Sequence, residues 1–398
     1  MISVPEAKHR ILNSVVHLNA AHRPLASALD CTAAGNIVAP VHLPPFRQSA
    51  MDGYAIAPSE PHQTSFTVTT EIPAGSVLRK PLHPGEAARI FTGACVPDQA
   101  SAVIKQESVT VAPGNHITIN EDYKIDDNIR AVGSQIRQGE TAIPAGTVLT
   151  PAGIGLCAAL GLTGIAVYPK PRIAIIVTGS ELRQPGSPLD YGTVYESNSF
   201  ALTAVLASVG ITDITVSSVS DDKLHITEAI QNALGISDIV LVTGGVSVGD
   251  YDFVGPAMAD IGVETIFYKV RQKPGKPLFY GRHNTTAVFG LPGNPAAVLS
   301  CFYEYVYPAI QLMQGRQEPF LPSVRLPIAQ SYRKSNSLAL FLKGRAGNGS
   351  VKPLGGQESY ILKSFAEGNC LIYLPEAVET IAAGDPVEVH MLPGVYYP

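Results

Sequence analysis

Between Arg172 and Tyr268, runs suited to strands alternate with runs suited to helices, and this alternation constrains the chain more than any other feature. Arg172 to Val177 is a β-branched run and Ser199 to Val209 an apolar-periodic helix. Ile211 to Val219 reads as a strand, Leu224 to Leu234 as a helix and Ile239 to Val242 as a strand. Phe253 to Ile261 is again helical, and Glu264 to Tyr268 and Thr286 to Phe289 are strands. Strands joined by helices of this length pair in parallel, in a sheet covered on both faces. Ligands of such sheets lie beyond the carboxyl ends of the strands.

The flanking segments differ. Ser3-Val4-Pro5-Glu6 has capping-box spacing, with Ala7, Ile11 and Val15 following at helical intervals, so a first helix is expected there. From residue 44 to about 135 the runs are short and strand-like: Phe66 to Thr70, Ala102 to Ile104, Ser108 to Val111 and His116 to Ile119. Pro113-Gly114-Asn115 separates the last two as a hairpin loop would. Pro169-Lys170-Pro171 marks a boundary, and beyond Pro322 short strands return at Val324 to Ile328, Leu338 to Leu342, Leu371 to Leu374 and Val387 to Leu392. No repeat of solenoid length is visible. At 36 glycines and 32 prolines in 398 residues the chain is turn-rich, and at 45% hydrophobic it is not disordered.

The stretch from Thr141 to Pro169 carries no charge. Its apolar part, Ala152 to Tyr168, is interrupted by glycines and falls short of the roughly 20 residues of a membrane span. Thr150-Pro151 reads as an N-cap with proline at the first helical position, leading into a buried helix. The formal charge of −5 disfavours a nucleic-acid partner. The N-terminus lacks the apolar core of a signal peptide, and the five cysteines form no CxxC pair, so a reduced cytoplasmic setting is expected.

Two strands of the alternating region run into small polar loops. One continues as Thr178-Gly179-Ser180-Glu181, the other as Thr243-Gly244-Gly245-Val246-Ser247-Val248-Gly249-Asp250-Tyr251-Asp252. A Thr-Gly pair at a strand end lets backbone N–H groups approach an anion. The loops also deliver the carboxylates Glu181, Asp250 and Asp252, an arrangement that suits Mg²⁺, which is bound by one or two carboxylates beside substrate phosphates. Tight βα turns with N-capping acids are the alternative for either loop alone. Neither loop is a Walker A or a dinucleotide fingerprint, which weakens ATPase and dehydrogenase readings. Arg271-Gln272-Lys273-Pro274-Gly275-Lys276-Pro277 places three cations on a stiff loop, suited to an oxyanion or phosphate, or else a solvated basic turn. Gly290-Leu291-Pro292-Gly293-Asn294-Pro295 is another cleft wall or a rigid turn, and Asp52-Gly53 by itself reads as a turn. No metalloprotease or serine-hydrolase motif occurs.

Together these segments resemble the molybdopterin molybdenumtransferase family, including the E domain of gephyrin, over essentially the whole length. The resemblance rests on Pro44 to Ala55, Arg89 to Ala94, Asn128 to Arg130 with Gly133, Thr178 to Leu182, Gly244 to Asp252, Lys273 to Pro277 and Gly290 to Pro295. It implies a multidomain α/β plus β fold. A central doubly wound, mostly parallel α/β domain is joined by an N-terminal helical segment, an inserted β-rich module and a C-terminal β-barrel-like domain. The expected division is 1–43 with 136–170, 44–135, 171–321 and 322–398.

The implied activity is Mg²⁺-dependent insertion of molybdenum from molybdate into adenylylated molybdopterin, with release of AMP and molybdenum cofactor. The implied working form is a homodimer with its site at the subunit interface, in transient contact with the adenylyltransferase and with molybdoenzymes. Catalytic candidates are Asp52, entering from the partner subunit, with Glu181, Asp252, Lys273 and Lys276. Glu181, Asp250 and Asp252 are the metal candidates. Substrate candidates are Thr92, Arg130, Thr178, Gly179, Gly244, Gly245, Ser247, Pro277, Pro292, Asn294 and Pro295, with Arg345 and Ser359 matching positions associated with molybdate. Two departures stand out: Gln135 replaces a common acidic residue, and Ala296-Ala297 replace Val-Ser. They keep open a degenerate paralogue that binds the pterin nucleotide or partner enzymes as a carrier or scaffold. Molybdopterin adenylylation is a third reading, disfavoured because Val246-Ser247 stand where Thr-Gly would be required.

Overall fold

A computed structural model describes residues 1–76, 81–245 and 254–394. The chain divides into two compact units. One comprises Met1–Ala21, Asp30–Ala34 and Val167–Pro398; the other comprises His22–Leu29 and Gly35–Ala166.

Helix α1 (Val4–Ser14) begins where expected, with Ser3 Oγ accepting from Glu6 N at 3.3 Å. The reciprocal half of the capping box is absent, because the Glu6 carboxylate pairs with Arg10 at 2.7 Å instead. Its buried residues Val4, Ala7 and Ile11 join the core of the larger unit.

The smaller unit is built on a six-stranded sheet. Its strands are β1 (Gly53–Ala57), β2 (Ser65–Ile72), β3 (Glu86–Ile90), β4 (Ala102–Lys105), β5 (Val109–Ala112) and β6 (His116–Ile119), in the order β4-β1-β3-β2-β6-β5. Only β2 and β3 run parallel. Alternate residues serve two cores: Ala55, Ala88 and Val103 on one face, Ile56, Ala87 and Ile104 on the other. The expected hairpin is present, with Ala112 opposite His116 and positive φ at Gly114 and Asn115. Helix α2 (Pro151–Ala159) has the expected Thr150 cap, its Oγ1 accepting from Gly153 N at 3.2 Å. It is not the buried helix expected, since Cys157 is its one buried residue. The apolar character comes largely from alanines and glycines, which have little area to bury, and the run is divided between this helix and a strand at Gly164–Tyr168.

The larger unit carries the α/β sheet. Its elements are β7 (Ile173–Thr178), α3 (Asn198–Ser208), β8 (Ile214–Val219), α4 (Lys223–Ile236), β9 (Ile239–Thr243), α5 (Val254–Asp260), β10 (Glu264–Tyr268), β11 (Phe279–His283) and β12 (Thr286–Leu291). The strand order is β8-β7-β9-β12-β11-β10. The first four strands are parallel, and β11 lies antiparallel between β12 and β10. Ile173, Ile175 and Val177 pack with α3, while Ala174 and Ile176 pack with α4 and α5, so both faces are covered. After β7 the chain crosses to β8 on one side, and after β8 it returns past β7 to β9. That reversal opens a crevice between β7 and β9 at their carboxyl ends.

From β12 the chain enters α6 (Pro295–Cys301), one π-helical turn (Phe302–Val306) and α7 (Tyr307–Met313). The last strands are β13 (Ser323–Pro327), β14 (Ala339–Gly347), β15 (Ser350–Pro353), β16 (Cys370–Leu374) and β17 (Pro386–Met391). They pair β15-β14-β16-β17-β13, and a bridge from Ile328 to Val351 brings the end of β13 back to β15. The sheet therefore curls around Leu340, Leu342, Val351, Ile372 and Val389, as the barrel-like expectation required. Among the described residues no helix is long and apolar enough to cross a membrane.

Candidate functional site

Strand register gathers the polar loops at one edge. Val177 lies opposite Thr243, Thr243 opposite Leu291, and Gly290 opposite Phe279. The segments after Thr178, after Thr243, after Leu291 and before Phe279 consequently all leave the carboxyl edge. At the crevice, Gly244 has φ +88° and sits against Thr178; a Cβ there would lie 2.5 Å from the Thr178 carbonyl oxygen. The Thr178 hydroxyl is buried and has no hydrogen-bond partner among the described residues. Leaving such a group unpaired costs about 1–3 kcal/mol, which a ligand hydrogen bond would recover. Asn198, at the start of α3, donates Nδ2 to the Gly293 carbonyl at 3.0 Å, and its buried Oδ1 is likewise unpaired.

Glu181 is exposed on the loop after β7, with its carboxylate unpaired among the described residues. Ser247, Asp250 and Asp252 lie outside the described residues, and no group of three metal-ligating side chains occurs among the described ones. What is described, an exposed carboxylate three residues after a buried unpaired hydroxyl, offers oxygen donors of the kind Mg²⁺ takes.

The cationic loop proves asymmetric. Arg271 is paired with Glu376 at 2.8 Å, whereas Lys273 and Lys276 are exposed and unpaired among the described residues. Their backbone is held from beneath by Gln272, which is fully buried. Gln272 Nε2 donates to the Gly275 carbonyl at 3.1 Å, and its Oε1 accepts from the Tyr305 hydroxyl on the π turn. Gly275 has φ +85°, and a Cβ there would collide with the Cys301 sulfur. The two lysines therefore project from a rigid frame, with Pro277 following.

The Pro292–Pro295 loop is tied to a distant turn. Asn294 Nδ2 donates to Ser359 Oγ at 2.8 Å, and the Ser359 carbonyl accepts from Ala296 N at 3.0 Å and Ala297 N at 3.2 Å. Ser359 thus caps α6, and both alanines that depart from the resemblance use their N–H groups there. Arg345 is exposed on β14, and its guanidinium makes no hydrogen bond among the described residues.

In the smaller unit, Asp52 and Thr92 meet directly. Asp52 Oδ1 accepts from Thr92 N and from Thr92 Oγ1, both at 2.7 Å. These two bonds, with the nearby Arg89 charge, hold the Asp52 carboxyl below its ordinary value. Arg89 spans the rings of Tyr54 and Phe91 at 5.0 and 5.1 Å. Arg130 donates to Gln48 Oε1 at 3.2 Å, and Gln48 in turn donates to the Gly93 carbonyl at 3.2 Å. Asp52, Thr92 and Arg130 therefore form one connected polar corner. Asp52 itself lies in a bend immediately before β1.

Comparison with known proteins agrees with this layout. Residues 2–161 match the MoeA N-terminal region (domain I and II), 174–312 a probable molybdopterin binding domain, and 325–392 the MoeA C-terminal region (domain IV). The chain is 31% identical to the molybdopterin molybdenumtransferase of Haemophilus influenzae, covering 98% of each chain. It is 34% identical to molybdopterin molybdenumtransferase 2 of Mycobacterium tuberculosis, covering 92% of this chain and 93% of that one. The chain belongs to the molybdopterin molybdenumtransferase family. A crystal structure of the molybdopterin biosynthesis MoeA protein of Pyrococcus horikoshii OT3 superposes with a TM-score of 0.82 at 28% identity, covering 98% of this chain and 100% of that one. Membership in this transferase family makes the chain an enzyme of molybdenum cofactor biosynthesis.

Sequence reasoning missed several residues that shape the site of this family member: Asn198, Gln272, Tyr305, Gln48, Arg89 and Lys343. Most act through backbone carbonyls far along the chain, for which no local motif exists. Lys343 carried one available signal, a cation closing the apolar run Leu338 to Leu342.

Proposed function

We propose that the chain inserts molybdenum from molybdate into adenylylated molybdopterin, with Mg²⁺, releasing AMP and molybdenum cofactor. The observation that carries this reading is the pair of unpaired lysines, Lys273 and Lys276, on a rigid loop at the carboxyl edge shared with the Thr178 and Gly244 loops. Molybdate and the phosphoanhydride of the nucleotide are both multiply charged anions, and two ammonium groups without carboxylate partners among the described residues complement either. Thr178, Gly179, Gly244, Gly245 and Ser247 would line the phosphates, with Pro277, Pro292, Asn294 and Pro295 shaping the walls. Arg345 and Ser359 would address molybdate. Because Ser359 Oγ already accepts from Asn294, its hydroxyl hydrogen remains available to an oxyanion. Glu181, Asp250 and Asp252 would hold Mg²⁺, which when bound supplies Lewis-acid polarisation of the phosphoanhydride. One P–O bond of the phosphoanhydride would break as a water oxygen adds to the phosphorus it leaves, so that AMP and the pterin each depart with one phosphate.

The same reading makes the working form a cytoplasmic homodimer in which one copy's Asp52, with Thr92 and Arg130, serves the partner's site. It includes transient contact with the adenylyltransferase and with recipient molybdoenzymes. The four-part division at 1–43 with 136–170, 44–135, 171–321 and 322–398 belongs to this proposal.

The test mixes purified protein with adenylylated molybdopterin, Mg²⁺ and molybdate, and follows AMP and active cofactor. Formation of both is expected. AMP without cofactor would mark a degenerate paralogue, and tight binding without turnover would mark a carrier; either overturns the proposal.

A further inference from the structure

Lys343 is a buried cation with an unusual environment. It lies on β14 at 2% relative exposure, without a carboxylate at salt-bridge distance among the described residues. Its ammonium donates instead to three carbonyls of one turn: Gly356 at 2.7 Å, Glu358 at 3.1 Å and Ile361 at 3.1 Å. These use all three of its hydrogens. Gln357 ties the same turn to the Lys343 backbone, accepting from Lys343 N at 3.0 Å and donating to Lys343 O at 2.9 Å. Ser364 Oγ adds a second donor to the Gly356 carbonyl at 2.7 Å.

Removing an ammonium from water without a counter-ion costs several kcal/mol, and an apolar side chain of similar length would fill the space without that cost. Burial accordingly pushes the Lys343 ammonium below its ordinary value, against the opposing pull of Glu358. The position of Ser359 accounts for what the charge achieves. The carbonyls of 356, 358 and 361 converge on Lys343, while the carbonyl of 359 accepts from Ala296 N and Ala297 N and its hydroxyl meets Asn294.

We propose that Lys343 is a positioning residue. Its ammonium gathers the 356–361 turn so that Ser359 reaches Asn294 and the first turn of α6, and thereby sets the site's affinity for the oxyanion substrate. This rests on the reading in which Ser359 addresses molybdate.

The test is Lys343→Met in the full-length protein, with two readouts. In steady-state turnover, the molybdate KM is expected to rise about tenfold or more, while the pterin-nucleotide KM stays within twofold. In hydrogen exchange, the Ala296 and Ala297 amides are expected to speed up about tenfold, while those of Ile239–Thr243 are unchanged. An unchanged molybdate KM, or an equal rise in both constants, overturns the proposal. If the wild-type protein does not turn over, the functional reading fails, and the exchange readout decides the role of Lys343 alone. Should Lys343→Met not fold, Ser364→Ala carries both readouts. It removes one donor from the Gly356 carbonyl and is expected to shift each by about threefold; no shift in either overturns the proposal.

Discussion

The larger unit contains two sets of charged side chains treated in opposite ways. Around Glu304, on the π turn, every charge is answered. Lys8 Nζ donates to Glu304 Oε2 at 2.6 Å, His390 Nδ1 donates to Glu304 Oε1 at 2.6 Å, and His390 Nε2 donates to Glu388 Oε1 at 2.9 Å. Tyr373 stacks on the imidazole at 5.9 Å. Burial alone would raise Glu304, but Lys8 and His390 overcome it and hold the carboxyl at about 2. Burial alone would lower His390, but Glu304 and the hydrogen bonds of both carboxylates raise it to about 9. At Lys273 and Lys276, by contrast, the Gly275 and Lys276 carbonyls are bonded and the charges are left unanswered among the described residues. A closed network fixes how elements pack; an open one leaves its electrostatic capacity for a ligand.

The contrast can be broken by removing charge from each set. Lys276→Ala should lower molybdenum insertion by about 100-fold or more with an unchanged melting temperature, since no side-chain bond to a described residue is lost. A destabilised protein with full activity would reverse the assignment. Glu304→Gln should do the opposite, costing about 3–5 kcal/mol in denaturant unfolding because His390 and Lys8 lose their counter-charge, with turnover per folded molecule preserved.

The closed set also has a pH signature. The Glu304 contribution is complete above its ordinary value of 4.5 and lost as pH falls through about 2. The His390 contribution is complete below its ordinary value of 6.5 and lost as pH rises through about 9. The melting temperature should therefore decline between pH 7 and 9.5 in the wild type, and Glu304→Gln should flatten that decline. The smallest effect is expected at Thr178→Val. With no partner for the hydroxyl among the described residues, stability should rise by about 1–3 kcal/mol, while pterin-nucleotide affinity falls several-fold in a binding titration.

What could be read from the sequence was local or periodic. The alternation after Arg172 gave the parallel strands, their two faces and the edge where loops converge, because each residue's side of a strand follows from its neighbours. Strand β11 escaped, because Gly281 interrupts its short apolar start and charge follows at Arg282. The exposure of α2 escaped because apolar composition does not reveal how much area each residue can bury. At the site, the lysines were visible as unusual charge, but the pairing of Arg271 with Glu376 was not, since the partners lie 105 residues apart. Gln272 and Tyr305, and Lys343 and its turn, are likewise defined only once the chain is folded.

The strand Gln272–Lys273 has one further consequence. It pairs with Ala339 and Leu340 of β14, and Phe341 and Leu371 share one core with the α/β sheet. The last fifth of the chain is therefore not a detachable accessory. A fragment ending near residue 321 would retain every strand of the α/β sheet, yet it would lose the backbone pairing of the lysine loop and the Ser359 cap on α6. For chain dissection, the boundary that looks cleanest in the order of elements is the one across which the candidate site cannot be cut.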